Sequence, residues 1–351
     1  MKRAKSNLDA EQAVDLVRLA EIVEQFSGKK VVMYGDFVAD EFQYGDISRV
    51  SREAPVLILK HRETRFVPGG GANATNNLAA LGAKVVPVTA VGDDAAGDGL
   101  VEFFRGLGVD TSGILRVVNW TTPTKTRFLA GWAHTTAQQV LRVDREPMEK
   151  LAEKAEKQLA AKLLAKAKSA DALAVSDYGF GSATPDGVRA ARRKLRKNTP
   201  VTLDARQGLT RYANSGIVSA TPNEAELEAL HHTTIGKNLN ELERCGRSTL
   251  AAMKIQSLLV TRGRDGMALF EKNGARFTNI SVHGSDQAVD VTGAGDTVLA
   301  AYTLALASGA TALEAAHIAN IAGGLVVMKR GTATVSRAEL LEAIRREGSG
   351  A

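Results

Sequence analysis

Between residues 290 and 297 the chain reads Asp290-Val291-Thr292-Gly293-Ala294-Gly295-Asp296-Thr297, directly ahead of an apolar helical pattern that begins at Val298. Two glycines and an alanine leave the backbone N–H groups of such a helix start bare, and the aligned peptide dipoles add partial positive charge there. Gly293, Ala294 and Gly295 are therefore a candidate anion hole for a phosphate. Asp296, inside the first turn, is placed to accept a proton from a hydroxyl that attacks the held phosphoryl group. The plainer reading is a glycine-rich helix start whose acid complements the dipole, and the other elements of the chain decide between the two.

A second glycine-rich stretch, Pro68-Gly69-Gly70-Gly71-Ala72-Asn73-Ala74-Thr75-Asn76-Asn77, also leads into a helix. Asn73 and Asn77 lie one turn apart on it, and their amides suit sugar hydroxyls. Gly69, Gly71 and Ala74, with Asp93 downstream, also match a dinucleotide fingerprint, but that fingerprint joins the first strand to its helix, and a good strand has already ended at Asp36. A Walker-type loop is missing, because Gly236-Lys237 is followed by Asn238 and His231 stands where the leading glycine belongs. Thr221-Pro222-Asn223-Glu224-Ala225-Glu226 offers an amide and carboxylates for a hydrated Mg²⁺. Leu259 to Gly266 reads as a strand running into a glycine turn, which presents Thr261 and backbone N–H groups to nucleotide phosphates; taken alone, the two segments read as a helix cap and a hairpin. His231-His232 has no further ligand at metal spacing nearby and reads as a solvated pair.

These residues need a frame. Apolar, β-rich runs at Lys30 to Asp36, Val85 to Val91, Ala172 to Asp177 and Val201 to Asp204 read as buried parallel strands, each followed by aspartate. Ligands of an open α/β sheet lie at the carboxyl ends of its strands, so these aspartates mark one functional edge unless they are only helix caps. Helical patterns separate the strands at 73–81, 97–107, 148–168, 185–197 and 239–255, which predicts a doubly wound, mostly parallel α/β sheet with helices on both faces. Two segments without helical pattern, about 41–67 and 117–143, predict a small accessory β lid, and residues 8–26 predict an N-terminal helix behind Ser6 and Asn7. No repeat or linker divides residues 1–351, so a single domain is expected.

The chain has 351 residues, 44% hydrophobic and 24% charged, in the range of an ordinary globular protein. The acids Asp9, Glu11 and Asp15 follow the first basic residues where a secretory signal would need an apolar stretch. Val298 to Met328 is interrupted by polar residues and reads as buried helices, not as a membrane span. One cysteine, Cys245, makes no intramolecular disulfide and suits a reducing compartment, so a cytoplasmic location is expected. The net charge of +6 favours anionic ligands, but no aromatic residues interleave with the basic clusters at 150–168 and 189–197, and no nucleic-acid partner is expected.

Taken together and in this order, the four motif segments resemble the phosphofructokinase-B family of ribokinase-like sugar kinases, from about Lys30 to Leu340. Tyr34-Gly35-Asp36, Gly45 to Arg49, Arg52 to Val56, Gln139 to Glu146 and Gly331 to Ser336 resemble in particular the family's kinases of lipopolysaccharide heptose synthesis, which phosphorylate D-glycero-D-manno-heptose 7-phosphate at the anomeric hydroxyl. Phe180, where those kinases have lysine, and Ala205-Arg206, where they have Pro-Lys, depart from the pattern. The resemblance implies sugar contacts from Asp36, Gly70, Gly71 and Asn73, and Mg-ATP contacts from Asn223, Glu226, Thr261, Gly263, Gly266 and Asn320. It also implies a monovalent cation, K⁺, near Asp290 and Thr292. The 7-phosphate needs cations, and Arg127, Arg142 and Lys60 in the lid segments are the candidates. The lid strands are expected to pair two subunits, and the chain resembles a kinase without the adenylyltransferase unit of its bifunctional relatives. Other acceptors such as ribose, fructose 1-phosphate or adenosine stay open, as does a non-catalytic nucleotide sensor.

Overall fold

The computed structural model describes residues 14–132, 137–284 and 288–348. The first part of the chain forms α1 (Leu16–Glu24), β1 (Lys30–Gly35), β2 (Phe37–Val50), β3 (Leu57–Gly70), α2 (Gly71–Ala80), β4 (Lys84–Val88), β5 (Ala90–Gly92) and α3 (Ala95–Gly106). The middle contributes β6 (Leu115–Val117), β7 (Thr124–Gly131), β8 (Gln138–Arg145), α4 (Glu153–Ala167), β9 (Ala172–Asp177), α5 (Pro185–Arg192), β10 (Val201–Ala205), β11 (Ser219–Ala220) and α6 (Glu224–His231). The chain continues through α7 (Leu239–Met253), β12 (Ser257–Thr261), β13 (Met267–Glu271), β14 (Thr278–Ile280), α8 (Ala294–Ala307), α9 (Ala312–Val326) and α10 (Arg337–Gly348).

Eight strands form the central sheet in the order β14-β13-β12-β11-β10-β9-β1-β4. All neighbours from β12 to β4 are parallel, and only β13 and β14 run antiparallel at the far edge. Parallel strands covered on both faces must be apolar throughout, which explains the unbroken runs in the sequence. Alternation divides them: Val31 and Met33 join a core cluster with α1, α2, α8, α9 and α10, while Val32 and Tyr34 join a second cluster with α4, α5 and α7. Cys245 is buried in the second cluster.

A second sheet, β3-β2-β7-β8, grows out of the first where β2 leaves β1 through Asp36. The long β2–β3 hairpin carries register shifts at Tyr44/Gly45 and Ile47/Arg49, β2 runs parallel to β7, and β7 pairs antiparallel with β8. Every residue of β8 is exposed, including Val140, Leu141 and Val143.

Several expected boundaries shift. The predicted strand Val85 to Val91 is two strands: β4 ends at Val88, and β5 turns away to pair with β6 in a separate two-stranded ladder. Asp94 is thereby a helix cap, accepting from Gly97 N at 2.8 Å and from Thr122 N, and not a member of the functional edge. Helix α1 begins at Leu16 behind Asp15, whose carboxylate accepts from Val17 N; the expected caps Ser6 and Asn7 lie outside the described residues. α4 starts at Glu153 and α5 ends at Arg192, each shorter than its pattern. No helix among the described residues is long and apolar enough to cross a membrane.

Candidate active site

Strand order reverses at β1 and β9: β4 lies on one side, and the later strands add on the other. A crevice opens at the carboxyl ends of strands at such a point. Two helix starts face each other there. α2 begins after Gly70, and α8 begins after Gly293, both glycines having positive φ, 56° and 77°. Asp296 is the third residue of α8, and every residue from Asp296 to Ala305 is buried, so the core fixes the carboxylate's position.

The Asp296 carboxylate accepts from Asn73 Nδ2 at 2.9 Å and from Tyr178 Oη at 3.3 Å. Burial pushes its pKa up to about 7, while these two hydrogen bonds and the Lys125 ammonium oppose that rise. A carboxylate held near neutrality is suited to take and return a proton.

Asn73 is not available in the way expected. Its Nδ2 is committed to Asp296 and to Gly293 O at 3.3 Å, and its Oδ1 accepts from Asn77 Nδ2 at 3.2 Å. Asn77 is wholly buried and in turn accepts from Thr297 Oγ1, so these amides stitch α2 to α8. Neither is a free ligand for sugar hydroxyls.

Asp36 is likewise turned inward. It is 1% exposed, and its oxygens accept from Tyr178 N, Phe180 N and Ser182 N at 2.9, 2.9 and 2.7 Å. Burial, with the charge of Asp177, still raises its pKa to about 6. It organises the loop after β9, and the side chain that reaches the cavity from this region is Asp40, one turn of pleat into β2. Gly71 packs against Asp36 O, where an added Cβ would stand at 2.9 Å, and does not line the cavity.

Two cavities meet at the start of α8. One, of about 240 Å³, is lined by Asp40, Gly70, Asn73, Lys125, Arg127, Tyr178, Asp204, Asn223, Glu226, Gly293 and Asp296, with others. The second, of about 160 Å³, is largely apolar and is lined by Gly263, Arg264, Gly266, Met267, Val298, Asn320, Gly323 and Gly324 among others. Thr261 and Gly295 belong to both. A Cβ added at Gly295 would meet nothing within 4 Å, so this helix start stands open to a ligand. Asn320 donates to Ser281 O at 2.7 Å and so frames the apolar cavity's loop.

Asn223 and Glu226 form a reciprocal capping box on α6: Asn223 Oδ1 accepts from Glu226 N, and Glu226 Oε2 accepts from Asn223 N. Asp204 at the end of β10 faces the same space, its pKa well raised by burial and by the charges of Glu226 and Asp296. Glu226 is raised too, by burial first. Adjacent carboxylates that resist ionisation together are a hard-oxygen set suited to a divalent cation. Asp290 accepts from Thr292 N at 2.9 Å and Gly331 N at 3.0 Å, which ties the glycine loop to the segment after α9.

Of the lid cations, Arg127 lines the larger cavity but is ion-paired to Asp40, and its guanidinium lies over Phe42. Arg142 makes a two-pronged pair with Asp144, at 2.7 and 2.6 Å, outside the cavity lining. Lys60 is exposed on β3 opposite Asp46 and does not reach the cavity either. By strand alternation Arg142, directly opposite Arg127 in the β7–β8 ladder, shares its face, but its guanidinium is spent on Asp144, while Lys60 sits far along the β2–β3 hairpin from Asp40. The same alternation pointed to what was missed: Lys125 shares a strand face with Arg127 and lines the cavity. Tyr178, directly after Asp177 at the end of β9, carries no motif signal of its own. The histidine pair is structural, His231 sharing a hydrogen bond with Thr249 Oγ1, and among the described residues no group of three or more His, Cys, Asp or Glu side chains is placed to hold a metal. The dinucleotide reading of Gly69 to Ala74 fails on topology, since Gly69 and Gly70 end an antiparallel strand of the second sheet before α2 begins.

Comparison with known proteins agrees with this geometry. Residues 29–339 match the family model described as pfkB family carbohydrate kinase. The protein named bifunctional protein HldE of Mesorhizobium japonicum is 37% identical over 332 residues, spanning 93% of this chain and 64% of that protein. Its namesake in Pelobacter propionicus is 34% identical over 333 residues, spanning 94% and 66%. The chain thus spans about two thirds of the length of these curated relatives. Among solved structures, Arabidopsis thaliana ribokinase complexed with ribose and ATP superposes with a TM-score of 0.69 at 21% identity, covering 91% of this chain and 99% of that one. Escherichia coli phosphofructokinase-2 in complex with potassium gives 0.72 at 18%, covering 92% and 99%. Those identities speak to the fold, which is ribokinase-like, while the match across residues 29–339 establishes that the chain belongs to the pfkB family of carbohydrate kinases.

Proposed function

We propose that the protein transfers the γ-phosphoryl group of ATP to O1 of D-glycero-β-D-manno-heptose 7-phosphate, giving the 1,7-bisphosphate used for the lipopolysaccharide inner core. The observation that carries the kinase chemistry is the meeting of two cavities at the open start of α8, with Asp296 beside it. The choice of acceptor rests on the heptose-kinase resemblance of residues 34–36, 45–49, 52–56 and 331–336, and the similarity to HldE proteins supports it.

In this reading the apolar cavity takes the nucleotide, with Thr261, Gly263, Gly266 and Asn320 framing it, and the larger cavity takes the sugar. Backbone N–H groups after Gly293 hold the moving phosphoryl group. Asp296 removes the O1 proton as the O1–Pγ bond forms; the bond from Pγ to the bridging oxygen breaks, and its electron pair leaves with ADP. Tyr178 and Asn73 hold the carboxylate in position. Mg²⁺, when bound, screens the phosphate charge; Asn223 and Glu226, with Asp204, would hold it through water. A monovalent cation near Asp290 and Thr292 belongs to the same reading, and unchanged turnover when potassium is replaced by tetramethylammonium would remove it.

Pairing of two subunits through β8 and its neighbours is also part of the proposal, supported by the exposed Val140, Leu141 and Val143. A sedimentation mass that stays monomeric at high concentration would refute it. A cytoplasmic setting follows from the need for ATP and fits a lone buried cysteine.

The deciding experiment offers Mg-ATP with a panel of sugars, sugar phosphates and nucleosides and measures ADP release. Turnover fastest on heptose 7-phosphate is expected. Turnover on ribose, fructose 1-phosphate or adenosine in its place replaces the acceptor, and nucleotide binding with no turnover on any of them makes the protein a sensor.

A further inference from the structure

Lys125 occupies an unusual electrostatic position in the larger cavity. In the ladder it stands opposite Asp40 on β2 and Asp144 on β8. Both carboxylates are already taken, Asp40 by Arg127 and Asp144 by Arg142. The Lys125 ammonium has no ion pair or hydrogen bond among the described residues, and it lies 5.4 Å from the centre of the Tyr178 ring. The same Tyr178 donates to Asp296, so Lys125 stands one side chain away from the candidate base.

Its surroundings add to this. Burial lowers the Lys125 pKa first, Asp40 opposes that, and the charges of Arg206, Arg142 and Arg127 lower it further. Arg206, just after β10, is exposed and has no ion pair among the described residues. Arg206 is also one of the residues that depart from the heptose-kinase pattern. A half-buried cation crowded by other cations is costly without a ligand and gains strongly when an anion arrives.

Resting on the kinase reading above, we propose that Lys125 holds an anionic group of the acceptor, a phosphate monoester, and so determines that the acceptor is a sugar phosphate and not a free sugar. Arg127 and Arg142 then act indirectly. By engaging Asp40 and Asp144 they leave the lysine uncommitted.

The test compares the parent enzyme with Lys125→Met and Lys125→Arg on heptose 7-phosphate and unphosphorylated heptose. In the parent, kcat/KM favours the phosphorylated acceptor. Lys125→Met should reduce that preference roughly 10- to 100-fold, mainly by raising KM for the phosphorylated acceptor, because a charge-assisted hydrogen bond is lost. Lys125→Arg should restore part of it. A thermal melt and calorimetric titration with Mg-ATP establish that the variant is folded. A second arm titrates inorganic phosphate into enzyme saturated with a non-hydrolysable ATP analogue, where Lys125→Met should weaken phosphate binding by a similar factor. If both acceptors lose activity equally and phosphate binding is unchanged, the proposal is overturned. If no sugar is turned over by the parent, the proposed reaction fails, and the phosphate arm still decides the role of Lys125.

Discussion

The starts of α2 and α8 are built from the same materials and do opposite things. Each is preceded by a glycine at positive φ, each is rich in small residues, and the two are joined by Asn73 and Asp296. At α2 the glycines serve packing: Cβ atoms at Gly70 and Gly71 would press on Asp36 O at 3.2 and 2.9 Å, and Gly71 N already donates to that carbonyl. At α8 the space beyond Gly295 is empty. A glycine in such a start is therefore open to a ligand only where something other than protein is meant to fill the gap, as at Gly295, whereas the space behind Gly71 is filled by the chain itself.

The largest effect that would break this contrast comes from Asp296→Asn. Turnover is expected to fall about 10²- to 10⁴-fold with Mg-ATP binding retained, the range typical of losing a general base. Comparable kcat in variant and parent would place the base elsewhere. Valine at the two starts should separate them next. Gly295→Val should raise KM for ATP by roughly 10- to 100-fold through lost phosphate contacts while leaving the melting temperature near that of the parent. Gly71→Val should instead destabilise the fold by about 1 to 3 kcal/mol, from overpacking against backbone. Similar melting temperatures for both variants would erase the distinction.

The pH dependence sharpens it further. As the proposed base, Asp296 must be ionised to accept a proton, and with its pKa pushed up to about 7, kcat/KM for the acceptor should rise through that region and level above it. An activity already flat from pH 5 would contradict the role. The same group carries a smaller stability signature. A carboxylate whose folded pKa of about 7 exceeds its ordinary value of 3.8 stabilises the fold below about pH 4, and that contribution is lost as pH rises through 7. Asp296→Asn should thus be more stable than the parent at pH 8, by about 2 to 4 kcal/mol at most, with the gap closing towards pH 4 in denaturant titrations.

Strands β1, β4, β9, β10 and β12 of the central sheet were readable because runs such as 172–177 and 201–204 are too apolar for an exposed place and too short for a helix; β11 and β14 carry no such run. Asp296 and its glycines were readable because helix starts carry their own signature. What escaped was the use made of each polar group. Asp36, Asp94 and Asp177 all follow strands, yet Asp36 gathers three loop N–H groups, Asp94 caps α3, and Asp177 accepts from Tyr212 Oη at 2.7 Å. Residue type does not say whether a carboxylate will spend its lone pairs on the backbone or leave them for a ligand. The split of 85–91 into β4 and β5 was hidden for a similar reason, since both halves are buried and the break shows only in their partners.

The second sheet has an evolutionary consequence. Asp40, Lys125 and Arg127 reach the acceptor cavity from β2 and β7, whereas Asp296 and the open glycine belong to α8, some 150 or more positions later in the chain. In the proposed reaction, the second sheet's contribution to acceptor choice and the α8 contribution to transfer would thus lie in separate stretches of gene. On that reading, changes within β2–β3 and β7–β8 would alter the acceptor while leaving the start of α8 untouched, which makes those strand segments a practical place to begin redirecting the molecule.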